Sequence, residues 1–190
     1  MNDVIIVSGG SIQKDFALAF LKKRKQKNTC IIAADKGLEF LAGTEYSPDV
    51  VVGDFDSLSP EGKVYLDSLK NTEICRLKPE KDDSDTQSAT NYAIARGAKQ
   101  ITILGATGNR IDHLLANFGL LVMAKNKGTV VDLVDAYNYI TLIPSGTVLK
   151  KDMQFGKYVS FFSIGGDVTG LTLKGFKYPV NGHHLTTSDS

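Results

Sequence analysis

Short apolar runs rich in Val and Ile alternate, along the first 138 residues, with longer stretches that carry apolar residues at helical spacing. This alternation is typical of strand-helix-strand units that build a parallel sheet. Six strands are predicted: VIIVS from Val4, CIIAA from Cys30, DVVVG from Asp49, EICRL from Glu73, QITILG from Gln100 and VVDLV from Val130. The pattern therefore predicts an α/β region with a mostly parallel sheet and flanking helices.

Three helices between these strands are indicated by capping residues or by periodicity. One follows Ser59, a capping hydroxyl with Pro60 at the first helical position. Another begins at Ser84, with Gln87 three residues later as a capping-box partner. A third begins near Ile111, and its apolar spacing predicts one face packed on the sheet. The residues of that face are Ile111, Leu114, Leu115, Phe118, Leu121 and Val122.

The pattern changes from Tyr137 onward, where short β-branched and aromatic runs are separated by Gly and Pro without a convincing helix. Such runs predict an all-β region, a small sandwich. The change falls between residues 136 and 146, and we place the two domains at 1–138 and 139–190. The predicted fold class is therefore α/β followed by a small C-terminal all-β sandwich.

Composition narrows the environment and the partners of the chain. Its 22 basic and 21 acidic residues leave a net charge of +1, which is too small to recruit nucleic acid or a membrane. The basic run at residues 22–27 is expected to be a solvated helix end. Cys30 and Cys75 stand in apolar stretches, as buried thiols of a reducing compartment do. Without a leader pattern or a membrane-length apolar run, the expected location is cytoplasmic.

Acidic residues or glycines follow each of the first five predicted strands within a few residues. The acids at these positions are Asp35, Asp54, Asp56, Asp82, Asp83, Asp85 and Asp112. Because ligands of open parallel sheets bind outside the carboxyl ends of the strands, we expect these side chains to converge on one edge. So many carboxylates would repel one another without a cation, and hard oxygen ligands suit Mg²⁺.

Cations and glycines at the same edge extend the prediction to a phosphate ligand. Lys81 and Arg110 are of the kind that hold phosphoryl oxygens, and the glycines after the first and fifth strands can present backbone amides to an anion. Each piece alone is a weak signal, because an isolated Asp-x-Asp is more often a turn, and no P-loop motif occurs. The coincidence of four acidic clusters at successive strand ends favours a site for a nucleotide polyphosphate.

The ordered motifs AADKG, VVGDFDSL, KDDSD and GATGNRIDH resemble those of the thiamine pyrophosphokinase family, and GLTLKGFKYPV resembles the β-sandwich part of that family. The resemblance implies transfer of the pyrophosphoryl group of ATP to the thiamine hydroxyl, giving thiamine diphosphate and AMP. It implies a catalytic, ATP-binding domain at 1–138, and a domain at 139–190 that contributes to thiamine binding and dimerisation. The resemblance also implies a homodimer with the active site between subunits.

The same resemblance implies a magnesium site. It places the Mg²⁺ ligands at Asp54, Asp56 and Asp85. Asp35 and Asp82 match family acids at the nucleotide and metal site. One carboxylate of this group is expected to accept the proton of the thiamine hydroxyl.

The last motif, GNRIDH, supplies the remaining predicted contacts with ATP. Arg110 and Asp112 match the pair that engages the ATP phosphates, and His113 follows them in the motif. The predicted catalytic residues are Asp54, Asp56, Asp85, Arg110 and Asp112. Bacterial members usually continue past the LTTSDS region into a last strand, whereas this sequence stops at Ser190. Two expectations follow: either the second domain is incomplete at its C-terminus, or this member closes its thiamine site differently.

Three other functions fit parts of this pattern. A metal-dependent phosphatase of the haloacid-dehalogenase type uses an Asp-x-Asp motif, but there the acids usually close the first strand, and here they close the third. A nucleotide-sensing module would bind Mg²⁺-ATP without turnover. A sugar-nucleotide transferase would leave KDDSD and NRIDH unexplained.

Overall fold

The computed structural model describes residues 1–78, 80, 83–108 and 110–189. By its internal contacts the chain divides into two compact units, Met1–Lys150 and Lys151–Ser190, which we call unit 1 and unit 2. Among the described residues, no helix is both long enough and apolar enough to cross a bilayer.

Unit 1 is built on a seven-stranded sheet. Its strands are β1 (Asp3–Val7), β2 (Thr29–Ala34), β3 (Val50–Gly53), β4 (Glu73–Arg76), β5 (Gln100–Leu104), β6 (Val130–Val134) and β7 (Tyr139–Thr141). They are ordered β4-β3-β2-β1-β5-β6-β7, and every neighbouring pair is parallel except β6 and β7. All six predicted strands are confirmed, and β7 adds an antiparallel edge.

In the described residues of unit 1, five α-helices connect these strands. They are α1 (Lys14–Arg24), α2 (Gly37–Leu41), α3 (Pro60–Ser68), α4 (Asp85–Ala95) and α5 (Ile111–Asn126). Both predicted caps are confirmed, because Ser59 Oγ accepts from the Gly62 amide (3.0 Å) and Ser84 Oγ accepts from the Gln87 amide (3.2 Å). The Gln87 side chain differs from the predicted capping box, since it donates to Asp83 Oδ1 at 2.5 Å.

The sheet separates two hydrophobic cores. Along β1, Val4 and Ile6 face the core that contains α4 and α5, while Ile5 and Val7 face the core that contains α1, α2 and α3. All four side chains are fully buried, as expected for a parallel strand covered on both faces. The chain reverses its direction of winding between the adjacent strands β1 and β5, so a crevice is expected at their carboxyl ends.

The predicted buried face of α5 is wrong in part. Ile111 is 71% exposed and Leu115 is 61% exposed. The helix instead buries Asn117, Leu120, Leu121 and Ala124. Apolar residues occur almost all round this helix, so the hydrophobic pattern alone allows more than one buried face. The polar Asn117 can be buried because its Nδ2 donates to the Ala106 carbonyl (2.9 Å).

Unit 2 contains a short 3-10 helix (Lys151–Met153) and a two-stranded antiparallel sheet of β8 (Val168–Leu173) and β9 (Val180–Leu185). The fold class is confirmed as a mostly parallel α/β unit followed by an antiparallel β unit. Within the described part of unit 2, this small sheet stands where a sandwich was predicted. The division after Lys150 comes later than the predicted 138/139 boundary, because β7 pairs with β6 of the large sheet.

Two expectations from composition concern side-chain exposure. The basic run at residues 22–27 is exposed throughout, at the last turn of α1 and just beyond it, which confirms a solvated helix end. Cys30 and Cys75 are free thiols, but both are only half-buried. Burial, followed by the nearby Asp49 carboxylate, raises the pKa of Cys30 to about 11, so this thiol is protonated at neutral pH.

Candidate active site

Three acidic residues meet at the carboxyl edge of the sheet. Asp35 follows β2, Asp54 follows β3, and Asp85 begins α4. One carboxylate oxygen of each lies within 4.8 Å of an oxygen of both others, and all three residues are half-buried. We call them the three-acid group. Carboxylates this close repel one another, so the arrangement favours a cation among them.

Asp35 is held in an unusual backbone conformation. Its φ of 44° lies in the left-handed region, which Asp tolerates better than most residues, and its amide donates to the Val52 carbonyl of β3 (2.9 Å). Oδ2 accepts a short hydrogen bond from Ser57 Oγ. Oδ1 is buried without a hydrogen-bond partner among the described residues. Since a buried carboxylate oxygen without a partner is costly, the chemistry of this oxygen fits an external ligand such as a divalent cation.

Phe55 orients the loop between the two acids of the GDFDS motif. It is only 3% exposed and also has a left-handed backbone, with φ 67°. A Cβ on Gly53 would lie 3.1 Å from the Phe55 ring, so glycine allows the ring to fold against the end of β3. The Arg76 guanidinium lies over the ring, 4.8 Å from its centroid. Burial of Phe55 therefore fixes the loop that carries Asp54 and Asp56.

Asp56 lies beside the three-acid group but is not one of its members. Its side chain is exposed, and its backbone amide donates to Asp54 Oδ1 (3.2 Å). Hydrogen bonding to Asp54, then the charge of Asp54, raises the pKa of the Asp56 carboxyl. The three-acid group thus shares Asp54 and Asp85 with the predicted metal set and contains Asp35 where the prediction has Asp56.

The KDDSD motif is described only in part. Lys81 and the predicted nucleotide acid Asp82 lie outside the described residues. Asp83 accepts hydrogen bonds from Gln87 Nε2 (2.5 Å) and Asn91 Nδ2 (3.5 Å), so its carboxylate stabilises the first turns of α4.

Arg110 and Asp112 form a two-pronged ion pair at the start of α5. Arg110 Nε donates to Asp112 Oδ1 (3.1 Å) and Nη2 donates to Oδ2 (2.5 Å). Both side chains are largely exposed, and so is His113. The hydrogen bonds from Arg110 lower the pKa of Asp112 to about 2, while the carboxylate raises the pKa of Arg110. The pair is therefore fully charged at neutral pH.

The glycines after β1 and β5 bring two loops into backbone contact. The Gly10 amide donates to the Gly105 carbonyl (3.1 Å), and a Cβ on Gly10 would lie 2.2 Å from that oxygen. A Cβ on Gly105, which has φ 74°, would lie 2.5 Å from the Ser8 carbonyl. The Gly10 amide is therefore already hydrogen-bonded within the protein. The two glycines allow the loops after β1 and β5 to pack closely, at the place where the order of winding reverses.

Two residues of this edge were not identified from sequence. Ser57 fixes one oxygen of Asp35, and Phe55 anchors the acidic loop. The role of Phe55 could have been predicted from sequence, since an aromatic residue between two acids is unusual for a solvated turn. The role of Ser57 could not have been predicted from local sequence, because its partner Asp35 is 22 positions away along the chain.

Two family models match the chain. One, described as "Thiamin pyrophosphokinase, catalytic domain", matches residues 21–133, and the other, "Thiamin pyrophosphokinase, vitamin B1 binding domain", matches residues 145–190. A curated relative, thiamine pyrophosphokinase of Bacillus subtilis (strain 168), is 32% identical over 187 residues, which is 98% of this chain and 85% of that protein. Thiamine pyrophosphokinase 1 of Oryza sativa subsp. japonica is 33% identical over 87 residues, 43% of this chain and 33% of that protein.

Solved structures agree with these matches. The thiamine pyrophosphokinase structure from Bacillus subtilis superimposes with a TM-score of 0.86 at 30% identity, covering 99% of this chain and 86% of that one. The thiamin pyrophosphokinase structure from Geobacillus thermodenitrificans gives a TM-score of 0.75 at 27% identity, with 96% and 82% covered. The similarity therefore extends over both units.

Proposed function

The chain belongs to the thiamin pyrophosphokinase family, and on that premise we propose that it transfers the pyrophosphoryl group of ATP to the hydroxyl of thiamine, giving thiamine diphosphate and AMP. The observation that carries the proposal is the three-acid group, which lies wholly within the span of the catalytic-domain match. Attack on the β-phosphorus requires a negatively charged polyphosphate to be held in place, so positioning and charge stabilisation supply most of the rate.

The three-acid group is the proposed Mg²⁺ site. Its carboxylates are hard oxygen donors, and Asp35 Oδ1, which has no hydrogen-bond partner within the described part of the chain, fits a metal-ligating role. When bound, a divalent cation would neutralise charge on the phosphate oxygens. Ser57 keeps Asp35 oriented, and Asp56 stands beside the group as the fourth proposed acid. One carboxylate of this edge accepts the proton of the thiamine hydroxyl.

Arg110 is the proposed phosphate-binding cation. A guanidinium can bind phosphate oxygens through two parallel hydrogen bonds, and Asp112 holds this one at the start of α5. Asp112 therefore positions Arg110 while remaining ionised. We also propose that His113 and Asp82 contribute to the nucleotide site, as their motifs imply.

We assign thiamine to unit 2, on the basis of the vitamin B1 binding model that matches residues 145–190.

We also propose that two copies associate. Unit 2 is too small to cover its own apolar side chains, since Met153, Tyr158, Phe162 and Tyr178 are all largely exposed. The cytoplasmic location expected from the sequence stays a prediction.

The comparisons do not support the alternative functions. A phosphatase of the haloacid-dehalogenase type would carry its acids after β1, and here the Asp-x-Asp motif follows β3. A nucleotide-sensing module would bind nucleotide without turnover. The relatives that match this chain are instead named as thiamine pyrophosphokinases.

A product assay tests the proposal. Purified protein is incubated with ATP, Mg²⁺ and thiamine, and AMP and thiamine diphosphate are quantified together by chromatography. We expect both products in equal amounts and only when thiamine is present. Release of inorganic phosphate without thiamine would favour the phosphatase, and nucleotide binding without either product would favour the sensing module.

A further inference from the structure

Asp35 and Asp54 reach the three-acid group directly from the sheet, whereas Asp85 reaches it from a helix. Asp35 follows β2, and its amide donates to the Val52 carbonyl of β3 (2.9 Å), while Asp54 follows β3 itself. Backbone pairing between β2 and β3 therefore fixes the places of both residues. Asp85 is the first residue of α4, so its place depends on how that helix is seated on the sheet.

Apolar packing holds α4 against the sheet but does not fix the helix along its own axis. The helix lies against β1, β2 and β3, and its Ala89 and Ala93 are fully buried in the core on that side. Side chains this small have little surface to interlock with their neighbours, and apolar burial is not directional. A directional contact near Asp85 is therefore the kind of contact that would place the first turn.

A buried hydrogen bond between two hydroxyls supplies such a contact. Ser8 Oγ, just after β1, lies 2.6 Å from Oγ1 of Thr86, the residue that follows Asp85. Ser8 is 6% exposed and Thr86 is 8% exposed, so a bound substrate has little access to either hydroxyl. Because hydrogen bonds between hydroxyls require a narrow range of distances and angles, this one fixes the first turn of α4 against the end of β1.

The end of β1 is itself held on both sides. The Ser8 amide donates to the Leu104 carbonyl of β5 (2.8 Å). On the other side, a Cβ on Gly37, the first residue of α2, would clash with the Val7 carbonyl oxygen. Glycine at this position therefore allows the segment that follows Asp35 to pack on the end of β1. Ser8 thus stands on a rigid part of the sheet, between the segment of Asp35 and the helix α4.

We propose that Ser8 and Thr86 are positioning residues of the proposed metal site, and that their hydroxyl pair holds Asp85 beside Asp35 and Asp54. The inference rests on the proposed function, and it adds two residues that act through Asp85 without touching the metal or a substrate. Loss of a contact that orients a metal-binding side chain commonly lowers metal affinity by about 10- to 100-fold. Removal of this hydrogen bond should therefore weaken cation binding although all three carboxylates remain.

Binding of Mn²⁺ alone, followed by electron paramagnetic resonance on the full chain, tests the inference. Thr86→Val keeps the shape of the side chain and removes its hydroxyl, and Ser8→Ala removes the other partner. We expect each substitution to raise the dissociation constant for Mn²⁺ about tenfold. Because both break the same hydrogen bond, the double variant should bind Mn²⁺ about as weakly as either single variant. Thr86→Ser, which retains a hydroxyl, should bind Mn²⁺ nearly as tightly as wild type.

Thr90→Val is the matched control in the same helix. Thr90 is fully buried, and its Oγ1 donates to the Thr86 carbonyl (2.7 Å), so the same chemical change is made one turn further along α4 while the Ser8 contact is kept. It should leave the dissociation constant for Mn²⁺ unchanged. Equal weakening in Thr90→Val would show a general loosening of the helix and would overturn the inference, as would wild-type affinity for Mn²⁺ in both Thr86→Val and Ser8→Ala.

The same variants separate this inference from the proposed reaction. In an active chain, Thr86→Val should raise the Mg²⁺ concentration for half-maximal activity about tenfold and leave the KM for thiamine unchanged. Weaker Mn²⁺ binding in a chain without turnover supports the positioning role although the proposed reaction fails. Turnover together with unaltered Mn²⁺ binding contradicts the positioning role and leaves the reaction intact. Thermal unfolding verifies that each variant is folded, and Ser8→Ala carries the comparison if Thr86→Val is not.

Discussion

At the scale of single residues, the contact between Ser57 and Asp35 determines how the three-acid group is presented. Ser57 occupies one oxygen of Asp35, and the other oxygen is buried without a partner among the described residues. The left-handed backbone at Asp35 and Phe55 is a strained conformation, and such strain persists where surrounding packing requires it. The edge is therefore pre-formed by the protein.

Ser57→Ala should weaken magnesium activation. Loss of a residue that orients a metal-binding carboxylate typically lowers metal affinity by about 10- to 100-fold, so we expect the Mg²⁺ concentration for half-maximal activity to rise about tenfold. Ser68→Ala is the matched control, because Ser68 Oγ donates only within α3, to the Tyr65 carbonyl. Activation by Mg²⁺ that is identical in both variants would contradict the role given to Ser57.

Asp112→Asn should lower activity without changing the shape of its pH profile. The folded pKa of Asp112, about 2, lies below the ordinary value near 3.9, so its negative charge is present throughout the neutral range and is lost only as the pH falls through about 2. We expect an about tenfold lower kcat/KM from loss of Arg110 positioning, with parallel profiles from pH 5 to 9. An acidic limb that is present in wild type and absent in the variant would show that Asp112 titrates during function.

The acids of the edge were predictable, but their exact grouping was not. Strands of a parallel sheet end at one edge, so Asp35, Asp54 and Asp85 were expected to lie near one another. The exposure of Asp56 was not expected, because it depends on the burial of Phe55 and on a left-handed backbone. The hydrogen bond from Gln13 to Tyr137 joins segments 124 positions apart in sequence, and no local pattern indicates it.

At the scale of elements, the strands were predictable and the orientation of α5 was not. A strand buried on both faces is a continuous Val and Ile run, which is visible in sequence. A helix that is apolar almost all round has no unique face, and α5 is oriented by specific contacts such as that of Asn117 with Ala106. Strand β7 was assigned to the C-terminal region because its aromatic and β-branched residues resemble those that follow it.

Two substitutions in α5 test its orientation. Leu120 is buried and Leu115 is exposed. Leu120→Ala should lower the free energy of unfolding by about 2–5 kcal/mol, since it opens a cavity in the core, whereas Leu115→Gln should change it by less than about 0.5 kcal/mol. Urea unfolding at one protein concentration measures both, and the opposite ranking would restore the face predicted from sequence.

At the scale of the whole molecule, the chain combines a mostly parallel α/β unit that carries the acids with a β unit in which several apolar side chains are exposed. If unit 2 contributes to association as proposed, sedimentation equilibrium should give a mass of twice 20.6 kDa. A single-chain mass at the protein concentration of the activity assay would contradict the proposed dimer.

The fate of the γ-phosphate tests pyrophosphoryl transfer at the three-acid group most directly. ATP labelled at that phosphate is incubated with thiamine and Mg²⁺ and with wild type, Asp54→Asn or Asp83→Asn. Asp83→Asn is the control, because the Asp83 carboxylate is hydrogen-bonded to Gln87 of α4. We predict that the label enters thiamine diphosphate in equal amount to AMP in wild type and Asp83→Asn, and about 100-fold more slowly in Asp54→Asn. Label released as inorganic phosphate independently of thiamine, or full transfer by Asp54→Asn, would contradict the proposed reaction or its site.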